Sequence, residues 1–287
     1  MLKGFSVLKA LCISALFFAT AAHAELMVGL VPGNNLVLFE SAAPGTVGPA
    51  HYVTGITAGQ TLTAIALRQS DKEIYGLGVF GTSIQLYRIN MATYVATPIS
   101  VEFATSSTTS NFSFDVNPVV DVVRVVSHSG TNLRINPNTG AFIGNDSSLT
   151  YAPMTYDGTP AAAAIAYSNN FTGAVNTTLY ALEYQHDRLF TIGGIGGATS
   201  PNTGVMTEIG AFVVSDNQID MGFDISPQGE ALAVLTPGSV PTLYHINLAS
   251  GAASLVGVFP VSAPMRDLVF ALGVPELDSI FKNGFEP

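Results

Sequence analysis

SFDVNPVVDVVRVVSHSGTNLRINPNTG, residues 113–140, reads as three strands and two turns. FSFDV and VVRVV flank Asn117-Pro118, and NLRI closes on Asn136-Pro137-Asn138-Thr139-Gly140. Val, Ile and Phe suit a half-buried pleated surface, whereas Asn, Pro and Gly supply turn geometry, Gly because φ > 0 costs it little. The same stretch holds two Asp, two Arg and a His. It is either a catalytic constellation or one unit of a repeated scaffold.

Repetition favours the scaffold. A strand closing on Asn or Glu before a small turn recurs as NLVLFESAAPG (35–45), LYRINMATY (86–94), NLRINPNTG (132–140), TLYALEYQHD (178–187) and TLYHINLASG (242–251). The closing side chain is placed to accept backbone amides two residues on, and a following Gly gives the φ > 0 position of a tight hairpin. A strand–turn–strand phrase precedes most copies: 63–78, 112–127, 163–170 and 222–236, with a half copy at 266–273. Glu40, Asn90, Asn136, Glu183 and Asn247 are spaced by 50, 46, 47 and 64 residues, the long interval being assigned to a Gly-rich insertion at 193–212. Four strands per unit and a period near 46 match a β-propeller blade.

Five units fit, and the two ends complete one another. The N-terminal segment supplies three strands (27–30, 35–39, 47–54) without an inner one; residues 267–272 supply an inner strand alone. Pairing them builds a fifth blade and removes an open sheet edge. The expectation is an all-β, five-bladed propeller over 25–273, with six blades the alternative and a β-sandwich a more distant one. The chain has no Trp, so WD-type packing is excluded.

The phrases FDVNPVVDVVRVVSHSGTNLRINPNTG, AYSNNFTGAVNTTLYALE, GFDISP, LYHINLASGAASLVG and RDLVF resemble a bacterial secreted family known as domain of unknown function family 4394. The likeness spans about residues 26–273. It implies an exported, propeller-like protein and carries no known activity. Where the family tends to carry Asp, this chain has Ala66; the turn at 92–94 lacks its Gly. The ending, 274–287, resembles an Ile-Phe-x-x-Gly-Phe-Glu tail found on exported proteins of Gram-negative bacteria.

Composition agrees with export. The first 24 residues carry Lys3 and Lys9, an apolar run too short to span a bilayer, and Ala22-His23-Ala24, a signal-peptide pattern with cleavage after Ala24. The expected location is therefore secreted, periplasmic or cell-surface. Cleavage removes Cys12, the single cysteine, and with it any thiol chemistry or disulfide. Removing Lys3 and Lys9 from 10 basic residues leaves 8 against 20 acidic ones, a net charge of about −12. No basic patch suits nucleic acid. An extracellular or envelope glycan or protein is the expected partner, and the chain is expected to be monomeric, with no transmembrane segment after cleavage.

Two groups of residues are candidates for chemistry. Asp115, Asp224 and Asp267 occupy matching inner-strand positions, where the other units have Ala66 and Ala166. The leading reading is turn capping, since Asp-x-x-Pro occurs twice. The second is a channel Ca²⁺ site, which takes 6–8 oxygen ligands; no other cofactor is expected. Asp121, Arg124, His128 and Arg134 form the other group, polar residues of the opening stretch, read as a surface ion pair or an anion site. The loop Asn169-Asn170-Phe171-Thr172, with Tyr151, Tyr156 and Tyr167, is a candidate sugar surface. The favoured function is a non-catalytic binding or scaffold module; the alternative is a lyase or hydrolase at the channel mouth, using the three Asp with Arg124 or a His.

Overall fold

The computed structural model describes residues 24–152, 156–214, 220–260, 265–275 and 277. Five antiparallel sheets make five blades. Blade 1 is β1 (Leu26–Val31), β2 (Asn35–Glu40) and β3 (His51–Tyr52) with β22 (Asp267–Phe270) as its inner strand. Blade 2 is β4 (Thr61–Arg68), β5 (Glu73–Phe80), β6 (Ser83–Asn90) and β7 (Val95–Pro98), with β8 (Phe103–Ala104) also on β6. Blade 3 is β9 (Phe112–Asn117), β10 (Val122–Ser127), β11 (Asn132–Ile135) and β12 (Phe142–Asn145). Blade 4 runs from β14 (Ala162–Tyr167) through β15 (Leu179–Glu183) and β16 (Arg188–Ile192) to β17 (Val205–Ala211), with β13 (Thr150–Ala152) added in parallel outside. Blade 5 is β18 (Gly222–Ile225), β19 (Ala231–Leu235), β20 (Thr242–Ile246) and β21 (Ala253–Val258).

The ring closes as the two chain ends suggested. Met27 pairs with Phe270 and Leu30 with Asp267, so the last strand completes the first blade. At the adjoining seam β18 approaches β22 so closely that a Cβ on Gly222 would lie 2.9 Å from the backbone of Asp267 and Leu268. Only a residue without a side chain permits that approach.

Strand alternation turns apolar side chains to both faces of most blades, and each seam between blades encloses its own core cluster. Leu30, Leu62 and Tyr87 fill seam 1/2; Leu77, Phe114 and Val125 fill seam 2/3. Leu182 and Phe223 pack in seam 4/5, and Met27, Val234 and Phe270 in seam 5/1. Burial of each such side chain is worth about 1.5–3 kcal/mol. Seam 3/4 differs: Val126 is the single strand residue blade 3 gives to the cluster built on Ile165, Tyr167, Phe190 and Met206 of blade 4.

The hairpin device works as read. Asn90, Asn136 and Asn247 each accept the amides two and three residues ahead. Gly140 and Gly251 supply the positive φ, and Tyr94 takes φ 54° where Gly is missing. In blade 4 the unit boundary is corrected. Glu183 closes the second strand, not the third, and its carboxylate accepts from Gln185 and His186 N–H. The equivalent of 136–140 is Ser200-Pro201-Asn202-Thr203-Gly204: Ser200 accepts from Asn202 N–H and Gly204 has φ 69°. Residues 193–212, read as a Gly-rich insertion, are therefore the third-to-fourth-strand loop plus β17, part of the blade itself.

Candidate functional site

The three recurrent Asp sit on inner strands, where each accepts backbone amides rather than capping a turn. Asp115 Oδ2 accepts Tyr167 N–H of the next blade at 2.6 Å, and its Oδ1 accepts Val116 N–H at 2.7 Å. Asp224 holds Phe270 N–H of blade 1 at 2.8 Å and Ile225 N–H at 2.7 Å. Asp267 holds Ile65 N–H of blade 2 and Leu268 N–H, both at 2.9 Å. Each carboxyl is a clasp between neighbouring inner strands. The turn cap expected of Asp115 is made by Asn117, which accepts from Val119 and Val120 N–H. An inner-strand amide buried at a seam needs an acceptor, and in three seams the preceding blade's Asp reaches across to supply it. Ala66 and Ala166 leave seams 2/3 and 4/5 without that clasp.

Burial sets the protonation of these acids. It pushes Asp115 up to about 7, against the opposing pull of the Tyr167 and Val116 amides and with a small addition from Asp267. Asp224 and Asp267 are raised well above the usual carboxylate range for the same reason. No hydrogen bond or ion pair joins any of the three to an Arg or His among the described residues, and no group of acidic, His or Cys side chains there is arranged to hold a metal ion. The channel-mouth catalytic set expected as an alternative is not assembled by these residues.

The second candidate group is split by the fold. Asp121, in the β9–β10 turn at φ 50°, pairs with Arg68 of blade 2, not with Arg124. Arg68 also donates to Asp71, Tyr75 and Asn138, so its guanidinium is engaged on every side. The Arg68 bond holds Asp121 below the usual carboxylate range. His128 goes to the opposite end of blade 3, where it packs on Tyr184 and burial pushes it down to about 4.

Arg124 and Arg134 do come together, as a directly opposed pair on β10 and β11. They are not a surface pair: Arg124 is 3% exposed. Its Nη1 donates to Asp146 at 2.9 Å and to Asn132, its Nε to the Tyr167 hydroxyl at 3.1 Å, and its Nη2 to Asn202. Arg134 Nε and Nη2 both bond the same Asp146. Tyr167 thus serves at both ends, its amide held by Asp115 and its hydroxyl by Arg124.

Two clefts open on the face that carries these turns. The cleft at seam 2/3 encloses 500 Å³ and is lined by Arg68, Tyr75, Arg88, Pro98 and Asn138 among others. The cleft at seam 3/4 encloses 310 Å³, with Arg124, Arg134 and Tyr167 on one side and Ser200-Pro201-Asn202 on the other. Asp146, Arg68 and Asn202 were not singled out in the sequence. Asn202 had a signal, since SPNTG repeats the turn of NPNTG; Arg68 lies in the repeated phrase 63–78 without an Arg at the matching place of the other copies, and Asp146 stands outside any repeated phrase.

The candidate sugar surface is dispersed. Tyr167 is buried against Arg124, while Tyr151 and Tyr156 stack around His186. The β14–β15 loop instead reaches past the inner end of blade 3 to blade 2, where Thr172 Oγ1 donates to Gln69 O at 2.9 Å. The tail from 278 and the leader 1–23 lie outside the described residues. No helix among the described residues is long and apolar enough to cross a membrane.

A family model described as a domain of unknown function, DUF4394, matches residues 35–269. No curated protein matches the chain. Among solved structures, a protein of unknown function from Bacteroides thetaiotaomicron VPI-5482 is similar at TM-score 0.53 and 14% identity, over 88% of this chain and 66% of that one. This chain thus spans just under two thirds of that protein's length. A Lactobacillus plantarum protein is similar at TM-score 0.43 and 16% identity, over 84% and 69% of the two chains. The glutaminyl cyclase of Myxococcus xanthus is similar at TM-score 0.43 and 13% identity, over 69% and 76%. The first likeness bears on fold alone; the other two are too distant to carry a functional reading.

Proposed function

We propose that this chain, which belongs to the DUF4394 domain-of-unknown-function family, is an exported binding module that takes an extracellular or envelope glycan in the clefts between its blades. One observation carries the reading. The inner-strand acids that a channel enzyme would use are spent as clasps on backbone amides, while one face offers two polar, Arg-lined clefts of 500 and 310 Å³. Those volumes fall in the range of small-ligand sites, and loops and clefts on a rigid scaffold are where propellers place function. Export is supported by the leader-like first 24 residues, and an envelope or extracellular setting supplies glycans in quantity.

The test is a glycan screen with the full exported protein, purified from the compartment in which it accumulates, alongside assays for lyase and hydrolase turnover on the same glycans. Binding without turnover supports the module. Turnover that survives Arg124 and Arg68 substitution, or a blank screen with the protein in the cytoplasm, overturns it.

A further inference from the structure

The cleft at seam 3/4 has an unbalanced charge. Two guanidinium groups share one carboxylate, Asp146, whose side chain is 5% exposed. A formal charge of +1 is left in a chain whose net charge is −10. Arg124 has five N–H donors and four are committed, leaving one on Nη2; Arg134 Nη1 has no partner among the described residues. Two guanidinium groups facing one cleft with donors to spare and one carboxylate between them favour an anionic acceptor over a neutral one, and the fork of Arg matches a carboxylate.

The remaining lining is amphipathic. Asn117, Ser200 and Asn202 offer amide and hydroxyl groups, while Val120, Val122 and Pro201 offer apolar surface. Val120 is 63% exposed at the lip, an unusual place for an apolar side chain beside a charged cleft. A sugar ring carries hydroxyls on its rim and C–H groups on its faces, so this lining fits a pyranose, and 310 Å³ accommodates one or two rings.

We infer that the seam 3/4 cleft binds an acidic sugar of the uronate type, its carboxylate held by Arg124 and Arg134. The inference rests on the binding reading above and gives that site its ligand class. Asp146 holds the two guanidinium groups in place, and its charge is offset by both of them. Neutral sugars lose the charge-assisted contacts, and a bare anion keeps those contacts but loses the lining.

The experiment is calorimetric titration of the full protein with digalacturonate, with its neutral counterpart digalactose, and with inorganic sulfate. Digalacturonate should bind at least tenfold more tightly than digalactose, and sulfate should compete with it. Arg134→Gln, at a side chain 31% exposed, should weaken digalacturonate at least tenfold; Arg124 still holds Asp146, so the protein stays folded and its thermal midpoint falls less than in Arg124→Met. Equal binding of the two sugars, or undiminished binding by Arg134→Gln, sinks the uronate site while leaving a glycan module standing. If neither sugar binds, the uronate site is wrong, and the wider screen then decides the module separately.

Discussion

Seams 2/3 and 3/4 have the same four-strand plan on both sides and opposite chemistry between. In seam 2/3, Leu77, Leu86, Phe114, Val125 and Leu133 make a continuous apolar core, and charge is confined to the rim, where Arg68 clamps Asp121. In seam 3/4, blade 3 turns its other face, and that face carries Ser113, Asp115, Arg124, Asn132 and Arg134. Ser113 and Asp115 accept Ile165 and Tyr167 amides, and Arg124 reaches Tyr167, Asp146 and Asn202. An apolar seam holds blades by burial, which is tolerant of exact partners. A polar seam holds only while every donor and acceptor is matched, since an orphan inside costs about 1–3 kcal/mol, more for a charge. Polar seams are thus poor glue and good places to recognise a ligand.

The largest test of this contrast is Arg124→Met. It leaves Asn132 and Asn202 short of a partner and keeps one Arg on Asp146. Loss of one member of a buried pair costs about 3–5 kcal/mol. Urea unfolding followed by tyrosine fluorescence measures it, and a loss below about 1 kcal/mol would show that seam 3/4 is solvated rather than locked.

Arg68→Met probes the same chemistry at the rim of seam 2/3 and should cost less, about 1–3 kcal/mol. The Arg68 side chain is 8% exposed, but Asp71 and Asp121 are 29% and 39% exposed, so water solvates them once the guanidinium is gone. A cost equal to that of Arg124→Met would erase the distinction between the seams.

These differences were unevenly legible in the sequence. Five blades and their closure could be read because three of the hairpins repeat a local device, Asn accepting the amides two and three residues ahead. Blade 4 misled because Glu183 performs that device at the wrong turn, while the true equivalent uses Ser200 in place of Asn. The clasping role of Asp115, Asp224 and Asp267 was invisible, because each partner amide belongs to another blade, 46 to 202 residues away. Arg124 and Arg134 could be paired, being opposed in one hairpin; Asp146 lies past the next strand, and nothing local marks it.

pH separates the two ends of blade 3 next. Asp115 is protonated more readily folded, at about 7, than unfolded, at 3.8, so its contribution is full below about pH 4 and is lost as pH rises through 7. His128, at the far end of blade 3 against Tyr184, has the opposite sign. Burial lowers it from 6.5 to about 4, so its contribution is full above 6.5 and is lost as pH falls toward 4. Stability measured from pH 4 to 8 should lose its alkaline decline in Asp115→Asn and its acid decline in His128→Gln. Asp115→Asn also sets an amide NH₂ against a backbone N–H, at a cost of about 1–2 kcal/mol near pH 5. Asp224 and Asp267 keep part of the alkaline decline in that variant, so an unaltered slope, rather than a residual one, is the contrary result.

The smallest effect belongs to Arg88→Gln. Arg88 holds in blade 2 the strand position that Arg134 holds in blade 3, opposite Tyr75 instead of Arg124. Its side chain is 54% exposed and its one ion pair, to Glu73 at 3.0 Å, is at the surface. Screening by water limits such a pair to about 0–1 kcal/mol, and added salt removes what remains. Thermal midpoints of Arg88→Gln in low and high salt should therefore coincide with those of the unaltered chain. In seam 3/4 the same position looks onto the buried Arg124 guanidinium and shares its Asp146, so Arg134→Gln should change ligand affinity where Arg88→Gln does not. Equivalent strand positions would then differ in function through the residue across the ladder, not through their own identity.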